Sequence, residues 1–162
     1  MTDKRDRSQI PAAILWGGLV AGVLDLSFAL LFNHWRGVPF IRVPQAIASG
    51  LLGRDAFQGG LTTASLGVAL HFLIAFCLAA FYNGASRLFP LLIRWAALCG
   101  PAYGVAIYFF MNLVVLPLSR APKFKHTSLS TWSDLGSHIF FVGLTIALFA
   151  RHYAGARRAA GS

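Results

Sequence analysis

The chain has 162 residues, of which 57% are hydrophobic and only 12% charged, with a mean hydropathy of +0.65. A soluble domain carries about 25% charged residues, so this composition excludes an ordinary water-soluble fold and fits one domain spent mostly in lipid. The net charge of +9 comes from basic residues spread through the short segments between apolar runs. There they read as topology signals and contacts to anionic lipid headgroups, and no nucleic-acid partner is expected.

The N-terminus, MTDKRDRSQIP, is charged and leads into an apolar run with no small-x-small cleavage site behind it. It reads as a retained signal anchor. That first run, Pro11–Phe32, is PAAILWGGLVAGVLDLSFALLF, and Pro11 suits the first turn of a helix. As a helix it spans about 33 Å, enough to cross the hydrocarbon of a bilayer. Asp25 is its only ionisable residue. A carboxylate there costs about 2.5–3.5 kcal/mol on insertion scales, so it needs a partner or a purpose.

The loop that follows, His34–Gly60, contains PQAIASGLLG at Pro44–Gly53, which opens on Pro and closes on Gly as short helices do. Gln45 and Ser49 share one face, with Ile47, Leu51 and Leu52 mostly elsewhere. The expectation is a short interfacial or re-entrant helix, shielded on its Ile47 and Leu51 face by lipid or by the bundle and accessible at Gln45 and Ser49.

Three more apolar runs follow: Leu61–Tyr82, Trp95–Leu116 and Ser133–Ala150. They are too long for strands and do not alternate. The second and third are joined by a short segment, NGASRLFPLLIR, which predicts antiparallel neighbours. Pro101 lies near the start of the third run and is placed to bend it. Ser133 suits the cap of the fourth, with Asp134 in its first turn. The fold class is therefore all-α: a polytopic membrane protein with a bundle of four transmembrane helices, at about 11–32, 61–82, 95–116 and 133–150.

With the N-terminus in the cytoplasm, Lys4, Arg5, Arg7, Arg87, Arg94, Arg151, Arg157 and Arg158 lie inside. Arg36, Arg42, Arg54, Arg120, Lys123 and Lys125 lie outside. The charges nearest the helix ends, Arg87, Arg94 and Arg151, favour both termini in the cytoplasm. Trp16 and Trp95 then mark the inner ends, and Trp35 and Trp132 the outer ends, of an aromatic belt. The polar loop Pro117–Trp132, with RAPKFKH and SLST, is expected to be solvated.

Each run carries a prominent polar residue: Asp25, His71, Asn112 and His138. At 1.5 Å per residue, Asp25 falls slightly outside the midplane, His71 close to it, and Asn112 and His138 in the outer half. Intramembrane ionisable residues face the bundle interior, so the four are candidates for one polar site. Three helix faces support this: Gly18, Gly22, Asp25 and Ala29; Ala64, Gly67, His71, Ala75 and Ala79; and Gly100, Gly104, Tyr108 and Asn112. Small residues let helices approach closely, so these are packing seams. In the fourth run the small stripe is Gly136, Gly143 and Ala147, while His138 falls on another face and would point to the basic loop or another subunit.

The chemistry admits three readings. Asp25 and His71 bond each other, or Tyr103 and Tyr108, and fix helix pairing. Alternatively they form the polar site of a small transporter or permeation protein. A haem or quinone enzyme, with haem between His71 and His138, is disfavoured by their difference in depth. Cys77 and Cys99 lie in apolar runs without metal-ligand spacing, and no phosphate loop or carboxylate pair is present. No cofactor, metal or catalytic residue is therefore expected.

Four strings, QAIASGLLGRDAFQGG, LGVALHFLIAF, YGVAIYFFMNLVVLPLS and HIFFVGLTIALFARH, carry a resemblance over roughly Gly17 to His152. The chain resembles a group of uncharacterised bacterial inner-membrane proteins with four spans; MNLVVLPLS and ASGLLG are the most specific parts. The resemblance implies location and span count, and no activity. It also leads one to expect Pro where Thr145 stands, so a broken helix is not expected there. The function expected is that of a non-enzymatic inner-membrane protein, acting through helix contacts or as an accessory subunit, with lipid and a second copy or another membrane protein as partners.

Overall fold

The structure is a computed structural model that describes residues 2–122 and 127–160, with side chains described over 9–122 and 127–154. Among these residues every regular element is helical. In chain order the main helices are α1 (Thr2–Trp35), α2 (Arg42–Leu52), α3 (Gly60–Leu88), α4 (Ala96–Leu118) and α5 (Ser128–Ala154, helical on to Ala160). Four of them, α1 from Gln9 onward, α3, α4 and α5, are long and apolar enough to cross a membrane. Protein covers only 28, 22, 11 and 33% of their apolar windows, and Leu61, Leu73, Phe81, Leu98 and Leu113 lie exposed, as fits a multi-pass membrane protein.

All four helices outrun the apolar stretches that announce them. α1 starts at Thr2, so Pro11 lies inside it and not in its first turn. The carbonyl that Pro11 leaves unbonded belongs to Arg7, near the polar end of the helix, where the loss is tolerated. α5 starts at Ser128, and its cap is Thr127, not Ser133. The Thr127 hydroxyl accepts from Ser130 N–H at 3.2 Å, and Ser130 Oγ accepts from Thr127 N–H at 2.9 Å, a reciprocal box. Ser133 and Asp134 therefore stand within the helix. Before α4, a single turn, Leu91–Arg94, ends at Trp95 (φ −111°, ψ 39°), and this is where the chain bends. Pro101 is absorbed into Ala96–Phe110.

Two stretches widen to i→i+5 bonding, Met111–Val115 in α4 and His138–Leu144 in α5. The second ends at Thr145, whose hydroxyl donates to Phe140 C=O at 3.3 Å. Helix α5 is thus interrupted at the place where a proline is missing. The hydroxyl recovers a carbonyl that the wide turn leaves poorly bonded.

Around the bundle the order is α3–α1–α5–α4, each neighbour antiparallel. Both termini consequently lie at one end (the terminal side) and the loops around α2 and Thr127 at the other (the loop side). Small residues set the spacing. A Cβ at Gly18 would meet Phe76 at 2.5 Å, and one at Gly22 would meet Phe72 at 2.8 Å. Gly100 and Gly104 lie against Gly143, Ala147 and the backbone of His138 and Ile139. In lipid there is little hydrophobic drive between helices, so this close contact is the main cohesion.

The antiparallel pair α3 and α4 are not close neighbours. α3 spends its small face on α1 and α2, and α4 spends its own on α5, so neither has a smooth face left for the other. They meet through long side chains on the terminal side. Tyr103 donates to Leu78 C=O at 2.9 Å, and the Tyr82 and Tyr103 rings stand 5.0 Å apart. Tyr82 in turn donates to Leu92 C=O at 2.9 Å.

Helix α2 lies across the loop-side end of α3, with its Pro44 carbonyl over Gly67. Its buried face is Pro44, Gln45, Ala48 and Ser49, while Leu51 is 54% exposed. The access expected at Gln45 and Ser49 is overturned, because small and polar side chains allow the close approach that leucines would block, and Ile47 is half-buried. Gly53 closes the helix at φ +66°, a conformation that favours glycine. Arg120 then fastens it from the second loop, N–H to Gly50 C=O at 2.9 Å.

This packing makes a labelling prediction. In a chain with Cys77 and Cys99 replaced, Ser49→Cys should react with a permeant maleimide more slowly than Leu51→Cys. Adding Gly67→Val, which overlaps Pro44, should speed labelling at 49 by about ten-fold or more, the factor for about 1.4 kcal/mol of overpacking. Equal rates at 49 and 51 without the valine would mean that α2 is not docked.

Candidate polar site in the bundle

The site is best built outward from Asp25. It lies one turn beyond Gly22, at a point where α1 touches α3 and α5 together. Its carboxylate accepts a hydrogen bond from the hydroxyl of Ser137 on α5, which is 4% exposed. A carboxylate away from water needs a donor, and a hydroxyl from the neighbouring helix supplies it without adding charge. Among the described residues no Lys, Arg or His side chain pairs with Asp25.

His71, on α3, does not bond Asp25. Its Nε2 lies 2.9 Å from the Gly22 carbonyl. A carbonyl only accepts, so Nε2 carries the hydrogen and, in the neutral ring, Nδ1 is the acceptor. The bond is possible because Gly22 has no side chain to cover that carbonyl, and Phe72 packs into the space beside it. Asp25 and His71 are therefore one helical turn apart along α1, each tying α1 to a different neighbour.

The other three candidates make up a second group, in which Tyr108 and His138 meet between α4 and α5, and Asn112 lies one turn further along α4. Asn112 donates to Tyr108 C=O in its own helix at 2.9 Å. The Tyr108 ring meets the His138 ring edge to face, 5.8 Å between centroids. His138 Nδ1 lies 2.8 Å from Asp134 C=O, so Nδ1 carries its hydrogen. Among the described residues His138 thus meets α4. In that loop Lys123, Phe124, Lys125 and His126, which make up most of RAPKFKH, lie outside the described residues. The two groups are joined by sequence alone, since Ser137 and His138 are consecutive and face α1 and α4 respectively.

The second group sits where the helical hydrogen bonding changes. Asn112 lies in the wide stretch of α4, and His138 opens that of α5. Wide turns recur at functional sites because they expose backbone carbonyls and turn side chains off the regular phase. Among the described residues no three His, Cys, Asp or Glu side chains are grouped to hold a metal ion. Ser137 and Tyr82 are the polar residues that pattern reasoning missed. Of these, only Ser137 had a signal, the requirement that Asp25 find a donor.

A thermodynamic cycle tests the assignment of partners. Asp25→Ala combined with Ser137→Ala should show a coupling of about 0.5–3 kcal/mol in detergent stability, the range for residues in direct contact. Asp25→Ala with His71→Ala should couple less, because the two meet different helices. A larger Asp25–His71 coupling would reverse the assignment. Searches against family models, curated proteins and solved structures found no match to this chain, so the likeness drawn from its four strings stands without a homologue behind it.

Proposed function

We propose that the chain is a non-enzymatic inner-membrane protein that acts through helix contacts, as an accessory subunit of a membrane assembly or in a homo-oligomer. One observation carries the reading. The side chains of Asp25, His71 and Tyr103, polar groups that are expensive in lipid, each end on a neighbouring helix. They are used to specify which helices pair, the role in which interhelical hydrogen bonds are best attested. In this reading both termini face the cytoplasm, and the exposed Arg87, Arg94 and Arg151 meet anionic headgroups there. α2 then lies in the outer interface.

A second reading, a small binding or permeation protein centred on Asp25, is favoured by a different observation. Tyr82 and Tyr103 join α3 to α4 on the terminal side, while on the loop side α2 and the Arg120 contact span the distance between them. That arrangement would leave Asp25, which is partly exposed, approachable from the loop side.

Substitution at Asp25 separates the two readings. If Asp25 serves helix pairing, Asp25→Asn should be stable and complement a deletion strain fully, since an amide still accepts from Ser137. Asp25→Leu should lose about 1 kcal/mol, the scale of one interhelical bond. An Asp25→Asn protein that is stable but fails to complement would overturn the proposal in favour of the second reading. Orientation is checked separately: reporter fusions after Ser162 and inside Pro117–Trp132 should report the cytoplasm and the outside, in that order.

A further inference from the structure

The polar face of α2 has an unanswered acceptor. Gln45 is 2% exposed, and its Nε2 donates to Gly60 C=O at 3.1 Å, with Thr63 Oγ1 at 3.5 Å. Thr63 Oγ1 has already given its hydrogen to Ala56 C=O at 2.6 Å, so it can only accept from Gln45. The amide orientation is therefore fixed, because reversing it would set the Gln45 oxygen against two acceptors. The remaining atom, Oε1, is the one buried side-chain polar atom without a hydrogen-bond partner among the described residues. A buried acceptor left so costs about 1–3 kcal/mol.

What fills the position must be small, since Gln45 has almost no accessible surface. It must also donate. One turn along the same face stands Ser49, 0% exposed. Its hydroxyl hydrogen goes to Ala46 C=O at 2.7 Å, which leaves oxygen lone pairs free to accept. Residues four apart on a helix are neighbours on its surface. Two acceptors, one turn apart on the buried face of α2, match a molecule with two hydrogens to give.

We propose that one buried water lies in the α2–α3 seam, donating one hydrogen to Gln45 Oε1 and the other to Ser49 Oγ. Buried waters of this kind serve polar groups that the chain leaves unpaired, at roughly one per 27 residues of globular protein. The proposal makes α2 a helix docked through a wet contact, and it is independent of the role of Asp25.

Water-edited solid-state NMR on the full chain in liposomes, with glutamine side chains labelled, tests it. The Gln45 amide should gain magnetisation from water as fast as that of Gln58, which is exposed, despite being buried. Ser49→Ala should slow this transfer by removing the second partner. Thr63→Val should leave it in place, which eliminates the Thr63 hydroxyl as the source. Slow transfer at Gln45 in the unmodified chain overturns the proposal without recourse to any variant, as does loss of the signal in Thr63→Val. Full-rate transfer in Ser49→Ala overturns the bridge to Ser49.

Discussion

Everything in this fold depends on how closely two backbones can approach. Lipid surrounds the helices with hydrocarbon as apolar as their own side chains, so burial against a neighbour gains little over burial in the bilayer. Direct contact between main chains is what remains. Gly100, Gly104 and Gly143 provide it between α4 and α5, and Gly18 and Gly22 provide it against the phenylalanines of α3. The order α3–α1–α5–α4 follows from which small faces are available to which partner. The polar bonds are then made across seams that the glycines have already closed. His71 reaches the Gly22 carbonyl because no side chain stands in its way.

Much of the architecture was legible as long apolar runs. The ends of the helices were not, because a helix does not stop where hydrophobicity stops. Polar residues such as those before Gln9 and those of SLST are adequate helix formers, and a capping box at Thr127 outweighs the apolar boundary at Ser133. Helix α2 was legible from its Pro and Gly, but the access expected at Gln45 and Ser49 was wrong. The habit of turning leucines inward belongs to proteins in water. Where the surroundings are apolar, Gln45 and Ser49 gain by facing protein and Leu51 loses nothing by facing out.

The polar site shows a subtler limit. Asp25 could be singled out from sequence, and its need for a donor stated. Ser137 could not be chosen, because helical faces were assigned at a constant 100° per residue. Between Ser137 and Thr145 that phase does not hold. The same drift explains why His138, assigned to a face away from the small stripe of α5, meets Tyr108 on α4. Candidates thought to share one site fall into two groups on opposite flanks of α5.

The wide stretch of α5 therefore works as a phase shifter. Ahead of it, Ser137 addresses α1; within it, His138, Ile139 and Gly143 lie against Gly100 and Gly104 of α4; beyond it, Ala147 meets Gly100 while Phe149 meets Gly17 of α1, and Thr145 marks the return to regular winding. The two halves of the helix are in effect separate sentences joined by a spacer, each complete in its own reading frame. Removing a single residue from His138–Leu144 would leave both halves chemically intact. It would rotate one against the other, so that the serine and the glycine seam could no longer face their partners at once.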